Sequence, residues 1–183
     1  PSNPQYIAMV TQPAGSNYSY DGLTVHDSTL YASAHEHGVI LFNISSPESP
    51  SFFGQIPAEN AWGTVFLDSL LIIMNGEFGL KIMDITDLFN PVTITDIPTA
   101  GATKDLALDE DHLIVAMGSD GIARYDLSDP SNPQLLDTYN SAGLANRIAL
   151  IDGKIAVSEW VDVKILEYNG SEIQLVGYKN TGY

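Results

Sequence analysis

The 183-residue chain contains no cysteine, which excludes disulfides and all thiolate chemistry. Basic residues are scarce too: 7 Lys and Arg stand against 23 Asp and Glu, a formal net charge of −16. Such a charge repels nucleic-acid phosphates and anionic membrane surfaces, so nucleic acid is set aside as a partner. It suits a saline or extracellular setting. No apolar run approaches the roughly 20 residues that span a bilayer, so no membrane insertion is expected. No secretory leader is visible, and Pro1 stands where an initiator Met would, which predicts a segment upstream of it. Enzyme signatures are missing as well. There is no Gly-x-Ser-x-Gly elbow, no phosphate loop, no dinucleotide fingerprint and no zinc-protease helix. With only 4 His and scattered Ser, no nucleophile with a positioned base can be assembled, and the chain reads as a non-enzyme.

What is present is a repeat. The hydrophobic fraction of 44% supports a substantial core, and runs such as Leu70 to Met74 argue against disorder. Gly38, Gly79 and Gly121 are separated by 41 and 42 residues, and so are Pro50, Pro91 and Pro133. Around these markers four units align, each with four short apolar runs. The first runs in each unit are 22–27, 63–68, 104–109 and 146–152; the third runs are 38–45, 79–86, 121–128 and 163–168. The runs are too short for helices, are rich in Val, Ile, Leu, Tyr and Phe, and are separated by turn residues. Proline between the third and fourth runs fixes φ and withholds a ladder donor, so it closes a strand and shapes a turn. Four antiparallel strands per unit of about 42 residues fit a propeller blade. Strand-plus-helix solenoids do not fit, because no amphipathic helical stretch occurs.

The residues Leu30-Tyr31-Ala32, the stretch Gly79 to Asp87 and the stretch Tyr125 to Pro133 carry a further resemblance. They are similar to the LVIVD repeats of bacterial and archaeal secreted or surface proteins. The likeness covers most of the chain and fades in the fourth unit, where Glu167-Tyr168-Asn169-Gly170 replaces the Asp-Ile-Ser-Asp-Pro segment. The resemblance implies a β-propeller and a secreted or cell-surface location. It implies no reaction, because the family is defined by architecture.

The expected fold is therefore all-β: a β-propeller of four-stranded antiparallel blades over 1–183, with blades at about 20–57, 61–98, 102–140 and 144–180. Pro1 to Gln5 repeats Pro130 to Gln134, so the chain begins inside a repeat and an extra outer strand is expected over 5–12. That strand either belongs to a preceding blade of a larger propeller or closes a small ring. The run Ile173 to Tyr178 already supplies the last blade with a fourth strand, which favours the larger propeller. An open fragment exposes two edges and is expected to associate with the remainder of its parent or with itself.

In an antiparallel meander, the turns after the second strands emerge on the same side as the links between blades. That face gathers His35, Glu36, His37, Glu77, Asp120, Glu159, Trp160 and Asp162 from the turns. The links add Asp21, Glu59, Trp62, Lys104, Asp105, Asn146 and Arg147. If His35-Glu36-His37 is extended, its two imidazoles point the same way and chelate one cation, Zn²⁺ for example, with a neighbouring carboxylate. The alternative is a polar turn with solvated histidines. The ring of carboxylates is a candidate Ca²⁺ site, although the spacing of a dedicated calcium loop is absent. Trp160 is expected at the surface, where it can stack on a sugar or peptide, and Trp62 in the core. Asp27, Asp68, Asp109 and Asp152, at the ends of the first strands, read as turn formers.

The leading functional expectation is a non-catalytic binding or scaffolding propeller for a protein or glycan, with no required cofactor. One alternative is a structural subunit of a surface layer or extracellular filament. Another is a hydrolase or lyase with an acidic axial pocket that uses Glu36, Glu77, Asp120 or Glu159 as acid–base residues.

Overall fold

The computed structural model describes residues 5–10 and 16–180. These residues form four four-stranded antiparallel sheets and a single 3-10 turn at Gly76–Phe78. The first sheet contains β1 (Gly22–His26), β2 (Thr29–Ser33), β3 (Val39–Asn43) and β4 (Ser51–Ile56). The second contains β5 (Gly63–Leu67), β6 (Leu70–Met74), β7 (Leu80–Asp84) and β8 (Val92–Ile97). The third contains β9 (Asp105–Asp109), β10 (His112–Ala116), β11 (Ile122–Asp126) and β12 (Gln134–Tyr139). The fourth contains β13 (Arg147–Ile151), β14 (Lys154–Ser158), β15 (Asp162–Tyr168) and β16 (Ile173–Asn180). Each sheet is an up-and-down meander in chain order, as a propeller-like blade requires.

Local chemistry repeats with the sheets. The first hairpin of each blade has a two-residue loop, and its leading residue is left-handed: φ is 52° at Asp27, 51° at Asp68, 56° at Glu110 and 48° at Asp152. Asp109 was expected in that role, but it ends β9 and Glu110 takes the strained position. After the third strands, the carboxamide or carboxylate of Asn43, Asp84, Asp126 and Asn169 accepts the amide N–H two residues on. This Asx turn stops the strand and redirects the chain toward the fourth. The pairing of third with fourth strands slips by one residue at 41/42, 82/83, 124/125 and 165/166. The slip is a bulge, which adds local twist to each outer edge.

Cores lie between the sheets. Tyr31, Val39 and Leu41 of the first blade meet Leu71, Ile73 and Met83 of the second. Ile72, Leu80 and Ile82 of the second meet Leu113, Val115 and Tyr125 of the third. Ile114 and Ile122 of the third meet Ile155, Val157 and Leu166 of the fourth. The middle sheets are thus buried on both faces, and their strands lose the clean alternation that one-sided burial imposes. The end sheets are different. Ala32, Ile40 and Phe42 on the outer face of blade one are covered by Val10, Tyr18 and Tyr20, while Leu23 and Val25 on the same face stay exposed. On the last blade Ile151 is exposed.

The extra strand expected over 5–12 does not form in its described part: 5–10 is not in strand conformation, and 11 and 12 lie outside the described residues. The last blade has no place for it, because the outer edge of β15 is already paired along its length with β16.

Candidate functional site

Turns and links meet on one face. The turn residue His35 bridges Ala61 in the next link, and Gly118 bridges Ala145. The equivalent turn of the second blade accepts the Thr103 amide on the Gly76 carbonyl, at 3.2 Å. The first strands lie in series, β1 beside β5, β5 beside β9, and β9 beside β13. Their starts surround a cavity of about 660 Å³. Its polar lining comes from Asp21, Thr24, Lys104, Asp105, Asn146 and Arg147, with Trp62, Leu23, Val65 and Leu106 as apolar walls.

None of Glu36, Glu77, Asp120 and Glu159 lines this cavity. Its two carboxylates are matched by two cations, and both carboxylates are engaged. Asp21 Oδ2 lies 3.0 Å from His35 Nε2, and Asp105 Oδ2 accepts the Ile148 amide at 2.7 Å. Lys104 Nζ sits 5.0 Å above the Trp62 ring, a cation–π arrangement. Trp62, expected in the core, packs against the core between the second and third blades and, half buried, also forms a wall of the cavity.

The paired histidines do not converge. His35 has a φ of +52°, so the segment turns where an extended course was expected. The His35 ring stands edge-on to Trp62 at 5.5 Å, beside Asp21. The His37 ring lies 4.5 Å from Tyr18, with Nε2 3.7 Å from Glu36. The left-handed residue rotates one imidazole away from the other, which removes the basis for a shared cation. Among the described residues no group of three or more His, Asp or Glu could hold a metal ion.

The carboxylates of the turns have separate fates. Glu77 is exposed and accepts from Asn60 Nδ2 at 2.8 Å; its own backbone amide and Asn60 lower its pKa. Asp120 is exposed beside Ser119. Glu159 and Asp162 are brought together by Lys164, a residue sequence reasoning passed over. Lys164 donates to Glu159 and to the Ser141 carbonyl, and lies 3.7 Å from Asp162. The Glu159 side chain is only 2% exposed, which removes it from any solvent-facing acid–base role. The second blade has a looser counterpart, in which Lys81 lies 3.0 Å from Asp96 and 3.5 Å from Glu59. Burial opposes charge on Lys81 and Lys164, yet their carboxylate partners outweigh it and raise both pKa values. Glu59 is lowered, first by the Asn75 side-chain hydrogen bond. A lysine flanked by apolar residues near the start of the third strand, second in β7 and third in β15, was the available signal for both clusters. Trp160 is 76% exposed at the tip of its turn, as expected.

This arrangement can be set against known proteins. Residues 100–141 match the LVIVD repeat. That stretch runs from the link before β9 through β12, one whole blade, and the LVIVD glycine and Asp-Pro-Ser-Asn-Pro segment are its third-strand start and third-to-fourth turn. No curated protein matches the chain. Among solved structures, the computationally designed Ika4 protein is similar with a TM-score of 0.64 and 11% identity, over 94% of this chain and 97% of that one. The computationally designed Ika8 protein is similar with a TM-score of 0.63 and 12% identity, over 90% of this chain and 50% of that one. The chain therefore spans about half the length of Ika8, and at these identities the likeness concerns the fold. No helix among the described residues is long and apolar enough to cross a membrane.

Proposed function

We propose that the chain is a non-catalytic binding or scaffolding module, secreted or displayed on the cell surface, that holds a protein or glycan on its link-and-turn face. The observation that carries this reading is the cavity of about 660 Å³ built from all four first strands, a size that suits a bound small group or side chain. The exposed Trp160, in the turn between β14 and β15, adds an aromatic surface to the same face. The test is a two-dimensional amide spectrum of the protein titrated with a panel of neutral and acidic oligosaccharides and short peptides. Shifts are expected at 61–64, 103–106, 145–148 and 159–161. Shifts confined to the opposite turns, at 27–28, 68–69, 86–91 and 128–133, would overturn the assignment of the face.

A second reading, a self-associating structural subunit, is supported by the exposed apolar residues of the two end blades, Leu23 and Val25 on one and Ile151 on the other. Within the chain each blade packs one face on the opposite face of the next, and the two faces without a neighbouring blade are one of each kind. A second copy would dock by the same rule. Light scattering across concentration tests it, with growth in mass expected and a constant monomer mass rejecting it.

A further inference from the structure

Seven cations serve a chain of net charge −16, and most have evident structural partners. Lys81, Lys154 and Lys164 are ion-paired, and the Arg124 guanidinium lies 3.9 Å over the Tyr168 ring. Lys104 and Arg147 both line the central cavity, Lys104 over the Trp62 ring and Arg147 in a long ion pair with Asp105. Lys104 has no carboxylate within 4.0 Å among the described residues, and the nearest to Arg147 is Asp105 at 3.9 Å. Asp105 and Asp21 are already occupied by the Ile148 amide and by His35. Ammonium and guanidinium groups carry three and five donors and no acceptor, so the cavity has donors to spare while both of its carboxylates are engaged. The four charged lining residues sum to zero, and the rest of the chain therefore bears the whole −16. Relative to its acidic surroundings the cavity is less negative.

We infer that the central cavity is a carboxylate-binding site in which Lys104 and Arg147 grip the anionic group and Leu23, Val65 and Leu106 contact the body of the ligand. This rests on the reading of the link-and-turn face as the binding face. The shared chemistry is one or two carboxylates on a small body, as in a uronic acid or an acidic side chain. Polyanions are disfavoured, because a charge repelled by the acidic exterior gains only what falls within a Debye length of about 8 Å from the two cations. Arg147 offers a bidentate fork and Lys104 a point charge, and Asn146 at the rim supplies a neutral amide for a hydroxyl or carbonyl.

The experiment follows the Trp62 indole N–H and the 104–106 amides during titration with glucuronate and with N-acetylglutamate, each beside its methyl ester. The intact protein is compared with Lys104→Met and Arg147→Met variants, which keep most of the aliphatic stem. Saturable shifts with the free acids, and binding at least tenfold weaker with the esters and with either variant, are expected. The acid that binds more tightly identifies the source as sugar or peptide. Equal binding of acid and ester, or unchanged acid binding in both variants, overturns the carboxylate site but leaves the face as a binding surface. Absence of any shift with both acids also overturns it, and the fate of the broader reading then rests on the panel titration above. Matching melting temperatures for the variants exclude unfolding as the cause of lost binding.

Discussion

Gly79→Ala tests whether the repeat glycine is required by geometry. Gly38, Gly79 and Gly121 have φ of +69°, +84° and +77°. A Cβ at each would come within 2.2, 2.2 and 2.1 Å of the carbonyl oxygens of Ile56, Ile97 and Tyr139. These carbonyls end the fourth strands. Leu80, next to Gly79, is in register with Ile97, so the oxygen cannot swing away without opening the ladder. Alanine at Gly79 therefore meets two penalties, about 1–2 kcal/mol for a left-handed residue and about 1–3 kcal/mol of backbone strain from the contact. The sum of about 3 kcal/mol lowers the melting temperature by about 6–12 °C in a chain of this length. Gly153→Ala is the control, because Gly153 has a φ of +72° but nothing within 4 Å of the Cβ position. It meets the first penalty alone and drops by about 2–8 °C, the smaller loss of the two. Thermal melts and urea titrations of both variants measure the difference. Equal losses in the two would refute the close-approach argument and leave backbone handedness as the whole role of the glycine.

Lys164→Met is expected to cost about 3–5 kcal/mol, because it strands Glu159 as a buried, unpaired charge. Lys81→Met is expected to cost only about 1 kcal/mol, since Glu59 and Asp96, 50% and 57% exposed, return to water; urea midpoints rank the two, and a reversed order contradicts the burial argument. Stability should be greatest between the ordinary carboxylate and lysine ranges. The lowered pKa of Glu59 contributes stability above 4.5 that is lost as pH falls through its folded value. The raised pKa values of Lys81 and Lys164 contribute stability below 10.5 that is lost as pH rises through theirs. Melts across pH should show both limbs, with the acid limb shallower in Glu59→Gln. Trp160→Phe should leave stability within about 0.5 kcal/mol and remove the solvent-exposed component of tryptophan emission. Zn²⁺ or Ca²⁺ titrated against the melting temperature should leave it unchanged, given the divergence of His35 and His37; a rise would show a site that their geometry does not supply.

The open ends of the array bear on its biology. Three interfaces of the same kind hold the four blades, and the two faces left over are only partly covered, one by Val10, Tyr18 and Tyr20. Exposed Leu23 and Val25 mark where that cover stops. Burying such residues is favourable by roughly 25 cal/mol per Å² of apolar surface, which is the physical basis of the proposed self-association. The likeness to Ika4 over nearly the whole of that chain and to half of Ika8 shows that the same four-sheet arrangement occurs in chains of different length.

The sequence by itself determined the blade. Strand lengths, the hairpin Asp residues, the recurring glycine and the Asp-Pro turns act through φ, ψ and hydrogen bonds within a few residues, so their spacing could be read directly. It also placed the turns and links on one face, because an antiparallel meander alternates its ends. Sequence could not determine which of those side chains meet. His35 and His37 looked like a pair until one left-handed residue separated them, and Glu159 looked like an exposed acid until Lys164 claimed it. The central cavity depended on the same kind of information. Asp21, Lys104 and Arg147 are far apart in the chain and become neighbours only because β1, β5, β9 and β13 lie side by side. Only tertiary structure decided that the acidic chain keeps Lys104 and Arg147 around a central opening, since side-chain direction across packed sheets leaves no local trace in the repeat.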